Sequence, residues 1–160
     1  MQAKGSCLCG KSTYTLDGEP ALTVCPFSLP FTDQTLTPSP HQALCHCLNC
    51  RKLTGSSNST AMMLPTSSLT FTTSSPLKKV TVPHHEAGFP MTVTFCADCG
   101  SALSKEADAE AFRGMVIVFA GCLDGPEVLE EIRPQAEMWT KYRVGWRGEL
   151  EGTRQCVGFE

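Results

Sequence analysis

The chain has 160 residues, a formal net charge of −3 and a hydrophobic content of 41%, which suits a single globular domain with its own core. It contains no basic stripe and no apolar run near the roughly 20 residues that cross a bilayer, which argues against nucleic acid or membrane as a partner. The polar opening segment, residues 1–11, lacks the apolar stretch of a secretory signal. We therefore expect one domain over residues 1–160, located in the cytoplasm.

The first half of the chain predicts strands, turns and one long loop. Ser12, Tyr14 and Leu16 alternate with polar residues, which predicts a strand that ends in the turn "DGEP". Segment 25–43 carries four of the eleven prolines, so we expect a surface loop there rather than a regular helix or a central strand. "LTFTTSSPLKKVTV" predicts two strands joined at a Ser-Ser-Pro turn.

The second half predicts further strands, so the expected fold class is mostly β. "PMTVTFCADCG" is typical of a strand that runs into a cysteine turn, and Met115–Ala120 is the most apolar strand candidate, which we expect in the middle of a sheet. Two stretches, "SKEADAEAF" and "GPEVLEEI", predict short helices. "EMWTKYRVGW" predicts a final strand with aromatic anchors, in which Trp139 and Trp146 pack near the mouth of an active site.

Ten cysteines are the strongest functional signal in the chain. Seven of them form three tight groups, which are Cys7 with Cys9, then Cys45 with Cys47 and Cys50 (here called the trio), then Cys96 with Cys99. In a reducing compartment, clustered cysteines bind metal more often than they form disulfides, so these groups predict zinc. The three separate cysteines, Cys25, Cys122 and Cys156, are expected to be small buried hydrophobic residues.

The spacing within the groups suits zinc ligation. Residues two apart in an extended chain point to the same face, so each Cys-x-Cys pair presents two sulfurs on one side. Residues 96–100, "CADCG", have the spacing of a zinc knuckle, in which a tight turn brings two thiolates onto one ion and a following glycine relieves the backbone.

Seven thiolates divide into a closed site of four and an open site of three. A four-sulfur site is structural, whereas three protein ligands with one free position are the arrangement of catalytic zinc. Spacing alone leaves open which pair joins Cys96 and Cys99. Parsimony favours Cys7 and Cys9, because the trio is contiguous and can hold one ion unaided. We therefore expect two zinc ions per chain.

The motifs "GSCLCG", "CHCLNCRKLTGS", "TFCADCGSAL" and "GCLDGPE", with a late "PQAEMWTKYRVGW", resemble the glutathione-dependent formaldehyde-activating enzyme family, also called the CENP-V/GFA domain. The resemblance runs from Gly5 to about Trp146 and implies a small Mss4-like fold of several antiparallel sheets with short helices, stapled by zinc. Segment 25–43 is then a loop insertion, either covering the substrate or neutral. By resemblance, the structural zinc is held by Cys7, Cys9, Cys96 and Cys99, and the reactive zinc by Cys45, Cys47 and Cys50.

Three thiolates make a soft, electron-rich zinc site that suits a fourth thiolate better than the activation of water. The resemblance therefore implies a carbon–sulfur lyase or thiol-adduct enzyme acting on glutathione with an aldehyde, or on a glutathione conjugate. Besides the trio, we expect Arg51 to have a catalytic role, by offsetting the thiolate charge. Arg51 and Lys52, which follow the ligand segment directly, are candidates for holding a glutathione carboxylate.

Other polar residues near these motifs have less specific interpretations. His46 lies between two ligands and is expected to face away from the metal and form a supporting hydrogen bond. His84, His85 and Glu86 predict a polar loop rather than a metal site, because they lack the spacing of helical ligands. The alternative function is non-catalytic: a zinc-stabilised binding module, chromatin-associated or resembling an exchange factor, in which a fourth protein ligand closes the second zinc site.

Overall fold

A computed structural model describes residues 2–18 and 42–159, and the prediction of a mostly-β fold is confirmed there. Of the predicted loop 25–43, residues 25–41 lie outside the described residues, and residues 42 and 43 begin a strand. The strands of the described ranges are β1 (Gln2–Ser6), β2 (Ser12–Asp17), β3 (Gln42–Cys45), β4 (Ser59–Pro65), β5 (Leu69–Thr73), β6 (Leu77–Pro83), β7 (Pro90–Cys96), β8 (Ala102–Ala107), β9 (Met115–Phe119), β10 (Ala136–Met138) and β11 (Arg154–Cys156). The α-helices of the same ranges are α1 (Leu48–Thr54) and α2 (Val128–Glu131), and 3₁₀ turns span Thr66–Ser68, Glu110–Phe112, Ala120–Cys122 and Thr140–Tyr142.

The described strands form two sheets. A three-stranded antiparallel sheet has the order β1-β2-β5, and an eight-stranded sheet has the order β11-β10-β3-β4-β9-β8-β7-β6. The larger sheet is antiparallel except that β10 runs parallel to both β3 and β11. Strand β9 lies between β4 and β8, which confirms the central position predicted for the apolar segment that begins at Met115.

Two predicted elements differ from the structure. "SKEADAEAF" is not a helix: residues 104–107 belong to β8, and only Glu110–Phe112 makes a 3₁₀ turn. Pairing of β8 with strands on both sides outweighs the helix preference of its Ala and Glu residues. "EMWTKYRVGW" is only partly a strand, because β10 ends at Met138 and the last strand of the described chain is β11.

Other predicted elements are confirmed, whereas residues 19 and 20 of the predicted turn "DGEP" lie outside the described residues. A short helix, α2, lies within "GPEVLEEI", and a strand, β7, runs into the cysteine turn. "LTFTTSSPLKKVTV" forms two strands, but β5 belongs to the small sheet and β6 to the edge of the large one. The Ser-Ser-Pro turn therefore carries the chain from one sheet to the other. None of the helices in the described part of the chain has the length and apolar character needed to cross a membrane.

The main core is formed by apolar side chains from both sheets, among them Tyr14, Leu16, Met62, Leu64, Leu103, Val116 and Val118. Tyr14 of β2 crosses the neighbouring strand at Gly5, its paired residue in β1. A side chain at Gly5 has no space: a Cβ there would lie 2.2 Å from Tyr14 Cζ and 2.6 Å from the Cys122 carbonyl oxygen. Gly5 therefore lets the tyrosine ring and the Ala120–Cys122 turn approach β1, two residues before Cys7.

Replacing Gly5 by alanine is expected to destabilise the fold by about 1–3 kcal/mol, because the added methyl group overlaps Tyr14 and backbone atoms that cannot move freely. Gly121→Ala is the matched control, since a Cβ at Gly121 meets nothing within 4 Å. Urea unfolding of both variants measures the difference. Equal midpoints for the two variants would contradict the close approach at Gly5.

Candidate metal centres

The structure brings the N-terminal cysteine pair onto the Cys96/Cys99 knuckle. The four sulfurs of Cys7, Cys9, Cys96 and Cys99 all lie within 4.8 Å of one another. Cys9 Sγ is 3.4 Å from Cys7 Sγ and 3.9 Å from Cys96 Sγ. Sulfurs around a tetrahedral zinc with bonds of about 2.3 Å are separated by about 3.8 Å. This group, here called the four-cysteine group, therefore has the donor set and the spacing for such an ion.

Matching turns present the two halves of the four-cysteine group. The carbonyl of Cys7 accepts the N–H of Gly10 (2.9 Å), and that of Cys96 accepts the N–H of Gly100 (3.0 Å). Both glycines have φ of +74°, in the left-handed region that disfavours residues with a Cβ. The glycine that follows each cysteine pair thus closes a turn that aims both thiols of the pair to one side.

Polar contacts join the two turns beside the sulfurs. The N–H of Leu8 donates to Ser101 Oγ (3.0 Å), and Lys11 Nζ lies 2.6 Å from Asp98 Oδ2. Ser101 Oγ is also 3.2 Å from Cys99 Sγ, and hydrogen bonds from Ser101 lower the pKa of Cys99 to about 5. Because the Lys11–Asp98 pair is exposed, it contributes little stability. Of these polar contacts, the one from Ser101 favours the thiolate form of Cys99.

The trio occupies the junction between β3 and α1. Cys45 ends β3, Cys47 is the N-cap of α1, and Cys50 lies in its first turn. Their sulfurs lie within 4.8 Å of one another, and Cys47 Sγ accepts the N–H of Cys50 at 3.3 Å. Within residues 2–18 and 42–159, no fourth Cys, His, Asp or Glu joins this group. Five residues of these types, Glu19, Cys25, Asp33, His41 and Glu160, lie outside the described ranges.

Lys105 is a functional candidate that sequence reasoning missed. It lies in β8, is 5% exposed, and places Nζ 3.0 Å from Cys50 Sγ and 5.6 Å from the centre of the Phe119 ring. It forms no ion pair with a carboxylate in the described part of the chain. Lys105 was missed because the sequence predicted a helix over residues 104–112, where the structure has the end of β8. A strand continuing from "CGSAL" would have directed alternate side chains, Leu103 and Lys105, to one face.

The Lys105 ammonium and the trio stabilise each other's charged forms. Burial opposes the charge on Lys105, but the thiolates, Cys50 above all, raise its pKa above the ordinary value. Hydrogen bonds from Cys45 and Cys47, with the nearby Lys105 charge, hold the pKa of Cys50 well below its ordinary value. These contacts favour the thiolate form of Cys50.

Trp139 packs against the trio, as predicted, whereas Trp146 does not. Trp139 is 4% exposed and forms an apolar cluster with Cys47 and Cys50. It follows β10, which pairs with β3, and has φ of 60°, a left-handed conformation that costs a non-glycine residue about 1 kcal/mol or more. Trp146 is 79% exposed, so its predicted role as an anchor is wrong.

The loop of residues 83–88, here called the histidine loop, lies over the trio. His84 is buried, and its ring centre is 4.6 Å from that of His85 and 4.9 Å from that of Trp139. Asn49 of α1 donates to the Pro83 carbonyl (3.0 Å) and accepts from the N–H of His85 (3.0 Å). The segment is a loop, as predicted, but it packs against the site instead of being a merely polar surface.

His84 has a defined tautomer. Its Nδ1 accepts the backbone N–H groups of Glu86 (3.2 Å) and Ala87 (3.0 Å), so the proton of the neutral ring is on Nε2. Burial, together with the charges of His85 and Lys105, lowers the pKa of His84 to about 4, and the nearby anions oppose this shift only in part. Among the described residues, His84 Nε2 and Trp139 Nε1 are buried donors without a partner.

His46 faces away from the trio, as expected. It is buried, and its Nε2 lies 3.0 Å from Glu137 Oε2. Glu137 also accepts from Arg143 (2.7 Å) and from the N–H of Leu150. Burial raises the pKa of Glu137, but these hydrogen bonds outweigh it and hold the pKa below its ordinary value. This network ties the segment that follows β10 to the β3–α1 junction.

Arg51 and Lys52 lie in α1, beyond the trio. Arg51 is half-buried and Lys52 is exposed. Neither side chain forms a hydrogen bond or an ion pair with another residue in the described ranges, so no contact connects them to a particular group. Their roles toward a substrate stay predictions.

Comparison with known proteins identifies a family. A family model described as glutathione-dependent formaldehyde-activating enzyme matches residues 31–142, more than two thirds of the chain. The matched segment contains the trio, the histidine loop and the Cys96/Cys99 knuckle, whereas Cys7 and Cys9 precede it. No curated protein matches the sequence.

Metal analysis of cysteine variants tests the division into two centres. We expect two zinc equivalents in the wild type and about one in Cys47→Ser with the fold retained. We expect about one in Cys96→Ser, with unfolding free energy lowered by more than about 3 kcal/mol because a closed zinc site contributes to folding. Cys122→Ser, outside both groups, is the control and should keep two. A Cys47→Ser protein that still binds two equivalents would contradict the trio as a metal centre.

The environment of His84 predicts a pH-dependent stability. Its pKa is about 4 in the folded protein and 6.5 without that environment, so the unfolded chain binds more protons between these pH values. The stability that the neutral His84 contributes to the fold is fully present above pH 6.5 and is lost as the pH falls toward 4. Between pH 7 and pH 5 the wild type should lose about 2 kcal/mol more than His84→Phe in urea unfolding. Parallel pH profiles for the two proteins would show that His84 is not held neutral by burial.

Proposed function

The chain belongs to the glutathione-dependent formaldehyde-activating enzyme family, and on that basis we propose that it is a zinc-dependent carbon–sulfur lyase or thiol-adduct enzyme. Its substrates in this proposal are glutathione with an aldehyde, or a glutathione conjugate. The observation that carries the proposal is the trio, three buried thiols without a fourth protein ligand among the described residues. A zinc ion held by three protein thiolates would keep a fourth coordination position, which the sulfur of a substrate could take.

Both cysteine groups fit zinc by donor type and by sulfur spacing. We assign a structural zinc to Cys7, Cys9, Cys96 and Cys99 and a reactive zinc to Cys45, Cys47 and Cys50. Zinc bound by the trio would supply one remaining position at which a substrate sulfur is held as a thiolate.

The proposed reaction makes or breaks one carbon–sulfur bond. In the forward direction, the thiol sulfur bonds to the carbonyl carbon and the carbonyl π bond opens. The thiol proton is transferred to the oxygen of the resulting hemithioacetal. The lyase direction reverses each change, so atoms and charge balance without an oxidant or reductant.

The wall beside the trio supplies hydrogen-bond donors that suit this chemistry. His84 is neutral near pH 7 and carries its proton on Nε2, and Trp139 carries one on Nε1. Both groups are buried and lack a partner among the described residues, so an oxygen atom of a bound adduct can accept from them without competing with water. The aromatic rings of the same wall exclude solvent from the sulfur.

In this proposal, Arg51 and Lys52 of α1 hold the carboxylates of glutathione. Glutathione carries two carboxylates, and Arg51 presents a planar group that can bind one of them with two parallel hydrogen bonds. Neither cation forms an ion pair or a side-chain hydrogen bond with another described residue, which supports both as candidates for a ligand carboxylate. We assign Arg51 to the substrate side of the site and Lys52 to the more exposed rim.

Cobalt substitution followed by glutathione tests the open site. We expect the thiolate-to-cobalt charge-transfer bands of the wild type to change on addition of glutathione, because a fourth sulfur joins the trio. Turnover of glutathione with formaldehyde, followed by NMR, should be abolished in Cys47→Ser. Cys25→Ser and His41→Ala, which remove the cysteine and the histidine that lie outside the described residues, should keep the spectral response.

Two outcomes would contradict the proposal. Full turnover in Cys47→Ser would exclude the trio as the reactive centre. A wild-type spectrum that glutathione does not move, but that becomes responsive in Cys25→Ser or His41→Ala, would show a closed zinc-stabilised binding module instead of an enzyme.

A further inference from the structure

Lys105 is a buried cation whose nearest counter-charge is a thiol rather than a carboxylate. Its ammonium lies 3.0 Å from Cys50 Sγ, and the Phe119 ring covers it at 5.6 Å. Among the Lys and Arg residues of the described ranges, Lys105 is the one that is buried. A buried ammonium is strongly unfavourable unless it is paired, so the trio and Lys105 depend on each other for charge balance.

Lys105 changes the net formal charge of the zinc site formed by the trio. A divalent zinc with three thiolates carries a formal charge of −1, and the Lys105 ammonium brings the buried unit to zero. A fourth thiolate then brings it to −1, instead of the −2 that the metal and sulfurs alone would reach. Because the site is largely shielded from water, each added unit of charge there has a larger energetic effect than at the surface.

The hydrogen bond from Lys105 to Cys50 also favours an anionic fourth ligand. An N–H donated to a ligand sulfur withdraws electron density from it and makes the sulfur a weaker donor to the metal, which is one way in which outer contacts tune a metal site. An ammonium has three N–H donors, and the contact to Cys50 uses one. Among the described residues, no hydrogen-bond acceptor other than Cys50 Sγ takes an N–H of this ammonium.

We propose that Lys105 is a specificity-determining residue that lets the trio take an anionic sulfur as its fourth ligand. The inference rests on the proposed function and deepens it, because it names the residue that favours a thiolate over a neutral ligand. Lys105 acts through charge and through its contact with Cys50, and it is not itself a metal ligand. The ligand class is therefore a thiolate, whether from glutathione or from another small thiol.

The test compares an anionic and a neutral ligand at the cobalt-substituted trio. In Lys105→Met, the glutathione affinity read from the charge-transfer bands should fall about ten- to a hundred-fold, because one nearby positive charge is lost. The affinity for imidazole, a neutral ligand, should change less than about three-fold, since no net charge enters the site. Lys79→Met is the matched control, because Lys79 is exposed on β6 and pairs with Glu106, and it should leave both affinities unchanged.

The four-cysteine group serves as an internal reference, because its four thiolates leave no position for an added ligand and its cobalt bands should stay constant. Equal losses of glutathione and imidazole affinity in Lys105→Met would show a merely structural role and overturn the inference. Unchanged glutathione affinity would overturn it as well. A Lys105→Met protein that binds one metal equivalent instead of two would show that Lys105 retains the ion, and would also overturn a role limited to the fourth ligand.

The same experiment separates this inference from the proposed function. If glutathione moves the wild-type and Lys105→Met spectra with equal affinity, the open thiolate site stands and the role of Lys105 is refuted. If glutathione does not move the wild-type spectrum, the open thiolate site itself is refuted, and the role of Lys105 is refuted with it.

Discussion

The close approach of Cys7 and Cys9 to Cys96 and Cys99 is the constraint on which the rest of the structure depends. The first pair follows β1 of the small sheet and the second follows β7 of the large sheet, so their sulfurs meet where the two sheets are joined. Cys9 and Cys96 are 87 residues apart in the chain, and bringing such distant segments together has an entropic cost that thiol contacts alone offset poorly. A shared metal ion would supply this free energy, which is why we propose a structural zinc here.

The trio, in contrast to the four-cysteine group, is brought together by residues that are close in the chain. Its three thiols come from six consecutive residues, and the strand end and the first turn of α1 bring their sulfurs together. Distant elements determine the environment of these sulfurs. Lys105 approaches from β8, Trp139 from the end of β10 and His84 from the loop after β6. In such a shielded site, charges and unpartnered donors have larger effects than at the surface, so these distant residues govern what the thiols can bind.

Much of the fold was predictable because its signals are local. Alternation over Ser12–Asp17, the apolar run that begins at Met115 and the strand before the Cys96 turn each predicted a strand that the structure contains. The errors arose where tertiary pairing outweighed local preference. The Ala- and Glu-rich segment that begins at Ser104 favoured a helix in isolation, but β7 and β9 hold it as a strand and thereby bury Lys105. Trp139 leaves its strand for a left-handed conformation that no periodicity indicates.

The sequence by itself determined the ligand chemistry: seven clustered thiols, their short spacings and the glycines that close the turns, all of which depend on residues near one another in the chain. It also indicated the division into four sulfurs and three, because a contiguous trio needs no distant partner. Only the tertiary structure decided which pair meets Cys96 and Cys99 and what surrounds the trio. A buried ammonium, a neutral imidazole and an indole N–H acquire their roles from packing between distant strands, and no local pattern of residues encodes that packing.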